Sequence, residues 1–394
     1  MSRLAIPLLV LLALAAAAGV GLWIWQPWVP DSAAAVEQAI KKKQFGLAVA
    51  GAERLTQNDP RDTRAWFLLA RARTGTNDMP GVIAALRKIP DFSLLKPEAF
   101  YFEGKAHFAL HRGRDAEQAF RNCALKSPVG AVIRVNAEIE LLAIFAMEER
   151  WDEFKSMFWQ MYPQLSGPET VTGLTMRMRS EFEQTKPELS IEFLSPFVAA
   201  DPADANALGG LAAAYDQLGN LGEALRLYQQ ASELDPNNLD LKERHLSVLL
   251  RQGEMDTLKA QMVSLPLIAQ DRSAILKIKA IVAQNDGELE QAASFQERYL
   301  QTRPDDSEAV HRYGQVLLRL GRKEEAARWA EARNQLNAGR DALREAWNDF
   351  ADRYEKDPTD ISPEILKRLG RACKQARLDR EGDAWLKIAS EFSS

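Results

Sequence analysis

The residues best suited to chemistry in this 394-residue chain are two histidines, His107 and His111, spaced four apart. On an α-helix that spacing puts both imidazoles on one face, a turn apart, where they could hold a divalent metal. Residue 108 is Phe, so the order His-Glu-x-x-His of zinc peptidases is absent, and no third ligand is evident. A metal-dependent enzyme using His107 and His111 is therefore an alternative reading, set against histidines simply exposed or packed on a helix. Cys123 and Cys373 are too few for a structural zinc site or a disulfide framework and read as two small buried side chains. No serine sits in a nucleophile-elbow pattern, and no glycine-rich loop follows a strand. Nothing calls for a cofactor, and the expectation is a protein without catalytic residues. A formal charge of −5 gives no electrostatic reason to expect nucleic acid as a partner.

What such residues would be mounted on is legible from a period. Glycines fall at Gly219, Gly253, Gly287 and Gly321, each 34 residues after the last. Pro202, Pro236 and Pro304 keep the same grid, as do Ala224, Ala292 and Ala326. Within one period, Leu208, Leu211, Ala212 and Tyr215 recur at spacings of three and four, which makes one face of a helix. Gly219 ends that helix, Asn220 with Glu223 forms a capping-box pattern for a second, and Asp235-Pro236 stops it. Ala224 and Ala231 are small where the two helices would cross, and Tyr228 fills the adjacent hole. A hairpin of this kind leaves an apolar face that only the next hairpin can cover.

The stretch 205–238 resembles a tetratricopeptide repeat (TPR) along its whole length, through Leu208, Leu211, Ala212, Tyr215, Gly219, Ala224, Tyr228, Ala231 and Pro236. The resemblance implies an all-α fold, a right-handed TPR superhelix (an α-solenoid of helix-turn-helix repeats). Length leaves room for about ten hairpins.

Four segments follow. Residues 1–30 read as an N-terminal transmembrane anchor, because Leu4 to Trp25 carries no charge and as a helix would span about 33 Å. Arg3 before it and Trp23, Trp25 and Trp28 after it suit a cytoplasmic N-terminus and a far-side aromatic belt. The expectation is a single-pass inner-membrane protein with its C-terminal domain on the periplasmic side; cleavage as a signal peptide near Ala16-Ala17-Ala18 is the alternative. Residues 31–165 read as divergent TPR-like hairpins, with Lys41-Lys42-Lys43 at a turn. Pro60 and Pro202 lie 142 apart, four periods plus six, so this half slips register through small insertions. Ser166-Gly167-Pro168 reads as a joint, 171–340 as regular repeats, and 341–394 as C-terminal helices closing in a capping hairpin with water on one side. An aromatic-rich stretch, 145–162, reads as the core of divergent hairpins or as an apolar surface for self-association.

By the same resemblance, first helices line a concave groove, and its face in the regular half comprises Asn206, Asp216, Gln217, Glu243, Arg251, Lys277, Gln284, Asn285, His311, Gln315 and Arg319. The lysine and asparagine of chaperone-binding carboxylate clamps are replaced by Gly209 and Ala213, so that function does not carry over. The combination of apolar N-terminus and closing LGRACKQARLDREGDAWLKIA is similar to membrane-tethered TPR proteins of bacterial envelopes. The implied function is a non-enzymatic scaffold, tethered to the inner membrane, that holds a protein or peptide partner in the groove.

Overall fold

The computed structural model describes residues 29–182, 186–358 and 361–392, and regular structure among them is entirely helical. The chain divides into two compact units, Met1–Ile144 and Phe145–Ser394.

The first unit holds α1 (Ala33–Lys41) with α2 (Phe45–Asn58), α3 (Thr63–Gly75) with α4 (Met79–Leu86), α5 (Lys96–Ala109) with α6 (Gly113–Lys126), and most of α7 (Val132–Met147). Side chains of Ser32, Asp62 and Asp78 accept hydrogen bonds from the first backbone N–H groups of α1, α3 and α4, satisfying donors that a helix leaves open. Small residues Ala48 and Ala52 are wholly buried where α2 is crossed by its neighbours. On α5, Gly104 lies under the Phe120 ring, where a Cβ would come within 2.6 Å.

The second unit continues with α8 (Trp151–Met161), α9 (Pro168–Phe182), α10 (Pro187–Ala200), α11 (Ala205–Gln217), α12 (Leu221–Leu234), α13 (Leu239–Gln252) and α14 (Met255–Val263). It ends with α15 (Ser273–Asn285), α16 (Leu289–Thr302), α17 (Ser307–Arg319), α18 (Lys323–Lys356), α19 (Pro363–Gln375) and α20 (Asp379–Glu391). Ala224 and Ala231 are wholly buried and Tyr228 nearly so, as a close crossing of α11 and α12 requires.

All four periodic glycines adopt left-handed backbone, with φ between 77° and 83°. In each case the next residue's N–H reaches five residues back, as Asn220 does to the Tyr215 carbonyl at 2.9 Å, closing the first helix of the pair. Lys43, Asn77, His111, Glu149 and Arg377 make the same turn at positive φ without being glycine. The repeat therefore extends through both units, and in the first it runs at the same 34-residue step, 43 to 77 to 111.

Two features depart from a plain stack. Helix α18 is 34 residues long and serves two pairs, its first half against α17 and its second against α19, so residues 340 and 341 fall inside it. Gly339 makes this possible, since the backbone of Gln375 and Ala376 approaches where a side chain would stand. Helix α9 packs on the last elements of the unit: Phe182 stacks on Trp347 at 5.3 Å, Thr172 and Tyr354 hydroxyls meet at 2.9 Å, and Arg177 pairs with Glu381. The closing hairpin thus carries a buried ion pair to α9.

The membrane assignment is corrected. No helix among the described residues is long and apolar enough to cross a membrane, so a single-pass inner-membrane protein is not supported. Length does not make a span: α18 exceeds a bilayer in length but carries charge throughout, from Lys323 to Lys356. The stretch Leu4 to Trp25 on which the assignment rested lies outside the described residues.

Candidate interaction groove

The histidine pair does not form. His107 is on α5 and 2% exposed, with Nε2 3.7 Å from Glu103 and 3.5 Å from the Arg87 guanidinium. His111 lies beyond the end of α5 in the left-handed turn, at φ 55°, so the two do not share a helical face. Among the described residues no group of three or more His, Cys, Asp or Glu is placed to hold a metal. The aromatic stretch is spent internally: Phe145, Phe154, Phe158 and Met161 are buried, and Trp159 lies under the Arg380 guanidinium at 4.5 Å.

The predicted groove residues of the second unit lie along α11, α13, α15 and α17, where many link one repeat to the next. Asp216 pairs with Arg251, Glu243 with Arg272, and Lys277 with Asp306 at 2.9 Å. His311 meets Arg333 at 3.3 Å and Gln315 at 3.0 Å, while Asn206 accepts from Asn238 at 3.4 Å. Gln284 is half-buried, and Asn285 and Arg319 are exposed. Partly exposed pairs of this kind contribute about 0–1 kcal/mol each, so the ladder fixes register more than stability. Burial pushes the Asp216 and Glu243 carboxyls upward despite Arg251 and Arg272, while Asp306 is held low by Tyr299, the Ala309 N–H and Lys277 against its own burial.

Sequence reasoning missed what fills the groove. The turn between α7 and α8 enters it from the same chain: Glu149 accepts from the Gln217 amide, and its carbonyl accepts from the Arg244 guanidinium. Beside the turn, Gly210 on α11 leaves room for the Glu148 backbone, whose Cα stands 2.7 Å from where a Cβ would be. Arg150 is clamped by Glu148 and Glu153, each at 2.7 Å, and lies over the Phe145 ring. Between the start of α8 and α13 remains a cavity of about 160 Å³, walled by Asp152, Glu243, Arg244 and Ser247. Glu149 occupies the left-handed turn position, four residues past the next step of the 43, 77, 111 grid, and no glycine marks it in the sequence.

A tetratricopeptide repeat profile matches residues 205–238 and a second one residues 279–335. The chain therefore carries tetratricopeptide repeats over these residues, and the left-handed turn of that repeat recurs in both units. Among solved structures it is similar to MamA 41-end from Desulfovibrio magneticus RS-1 (16% identity, TM-score 0.34, covering 43% of this chain and 95% of that one). It is also similar to the Cut9 and Hcn1 hetero-tetramer of the APC/C (14%, TM-score 0.33, 91% and 78%) and to YrrB, described as a TPR protein with an unusual peptide-binding site (13%, TM-score 0.28, 49% and 96%). The identification of the repeats rests on the profile matches, not on these scores. No curated protein matches the sequence.

Proposed function

We propose that the chain is a non-enzymatic scaffold, a right-handed TPR superhelix whose second unit binds a protein or peptide segment on the concave face of α11, α13, α15 and α17. The divisions 31–165, 171–340 and 341–394 belong to the same proposal as working segments. One observation carries the reading: the first helices present a continuous row of polar side chains beside a cavity already in contact with a peptide turn. Extended or turn-like backbone is recognised by side-chain donors arrayed in this way, with little rearrangement of the helices. A photo-crosslinking residue placed at Asn285 or Arg319 in the full chain tests it, with one at Arg298 on the second helix α16 as control. A partner captured reproducibly from the groove positions and not from Arg298 supports the reading. Equal capture from all three, or none, overturns it.

A further inference from the structure

We infer that the groove of the second unit is closed by a resident segment of its own chain, the Glu148-Glu149-Arg150 turn, and that the segment which replaces it in a complex is an acidic peptide. The inference rests on the groove reading above and deepens it by naming the chemistry of the occupant. The turn does what a bound peptide would do. It offers a carboxylate to Gln217 and a backbone carbonyl to Arg244, the two kinds of acceptor that any acidic segment carries. The neighbouring arginines are committed to groove carboxylates, Arg251 to Asp216 and Arg272 to Asp240 and Glu243, whereas the Arg244 guanidinium is directed at the turn. Cationic recognition at this place therefore selects for acceptors.

Two properties lower the cost of displacing the turn, the first of them shared with Lys43, Asn77, His111 and Arg377. Glu149 is held at φ 56°, a conformation that costs a residue with a side chain and is usually left to glycine. Its carboxyl is pushed upward chiefly by burial, with Arg244 and the Gln217 amide opposing, so the carboxylate is desolvated where it sits. Gly210, in turn, keeps the seat open: any side chain there would collide with the Glu148 backbone. A partner's acidic segment with relaxed backbone would form the same two hydrogen bonds without the left-handed residue, and its binding must be coupled to release of the turn.

The test uses the full chain and a labelled synthetic peptide, Ala-Met-Glu-Glu-Arg-Trp-Asp-Glu, copied from residues 146–153. Fluorescence anisotropy should show at least tenfold tighter binding to Glu149→Ala than to the unaltered chain, because the competitor is weakened while Gln217 and Arg244 remain. Adding Arg244→Met to Glu149→Ala should abolish binding, and a peptide with lysines for its first two glutamates should not bind. Hydrogen exchange across 146–154 gives a readout independent of any ligand and should accelerate in Glu149→Ala. Gly210→Leu, which evicts the turn by bulk, is a second route to faster exchange, and because the leucine fills the seat it should not bind the peptide. Unchanged exchange in both variants overturns the resident-segment inference. Faster exchange without peptide binding in Glu149→Ala overturns the acidic occupant while leaving the scaffold reading to its own crosslinking test.

Discussion

Arg177 on α9 and Glu381 on α20 meet at 2.7 Å, both almost completely buried, and bind the beginning of the second unit to its end. Glu181 joins them at 2.7 Å from the same guanidinium, its carboxyl pushed up by burial but held low on balance by Arg177 and Lys155. Phe182 on Trp347, and Phe350 against Trp385 at 5.1 Å, join the same two helices through α18. Truncating Arg177 leaves Glu381 buried without this counterion, which typically costs about 3–5 kcal/mol, whereas truncating Glu381 leaves Arg177 still paired with Glu181. Arg177→Met should therefore lose about that much in urea unfolding, whereas Arg177→Met combined with Glu381→Leu should recover part of it. Equal losses in the single and double variants would show that the ion pair is not what closes the unit.

The turns give a second prediction. Gly219 adopts φ 77°, where a Cβ crowds the following carbonyl at about 1–2 kcal/mol, so Gly219→Ala should destabilise by that amount. Lys43 and Arg377 make the same turn at φ 58° and 66° and already bear this strain. Lys43→Gly and Arg377→Gly should each raise the melting temperature, with an upper limit near 1 kcal/mol because glycine also gains freedom in the unfolded chain. A fall in melting temperature for both would mean that the turns are not equivalent.

Asp306 sets an acid limit. It caps α17, accepts from the Tyr299 hydroxyl at 2.6 Å and the Lys277 ammonium at 2.9 Å, and is held well below the usual carboxylate range even though burial pulls the other way. A depressed folded pKa gives stability that is present above the unfolded value, about 3.9, and is lost as pH falls through the folded value. Unfolding free energy should decline below about pH 4, and Asp306→Asn should flatten that limb while lowering stability at neutral pH. Tyr299 works at the other end. Burial, then Asp306, raises its hydroxyl, so its contribution is present below about pH 10 and fades above it.

These residues also show what was legible in the sequence. The 34-residue step and the small residues Ala224 and Ala231 gave the hairpin directly, because a left-handed turn and a close crossing restrict residue type. The same step in the first unit was hidden: Lys43, Asn77 and His111 occupy the turn that glycine marks elsewhere, and a backbone conformation leaves no letter when the residue tolerates strain. The six-residue slip between Pro60 and Pro202 was visible, and the turns place it after His111, as four residues before Glu149 and two before Gly219. The groove face was chosen by position in the repeat, yet Arg244 and Glu149 were missed because they act between segments far apart in the chain. A period reports neighbours in the stack; it is silent on contacts across it, and the pair of Arg177 with Glu381 is the other example.

The cysteines provide a probe for both units. Cys123 and Cys373 are wholly buried thiols, and burial pushes them up to about 11 and about 12. Thiol reagents attack the thiolate, which an unfolded cysteine with pKa near 8.5 supplies at pH 8 and these do not. Labelling of the native chain at pH 8 should be slow and limited by opening, then rapid for both thiols in denaturant. Site-resolved mass spectrometry adds a sharper expectation. Cys373 stands beside Glu381, whose charge contributes to its upward shift, so Glu381→Ala removes an opposing charge and loosens α19 and α20 together. Cys373 labelling should then accelerate markedly relative to Cys123 in the same sample. If the ratio of the two rates stays unchanged, release of the ion pair does not expose the closing hairpin, and α9 holds it through the aromatic contacts alone.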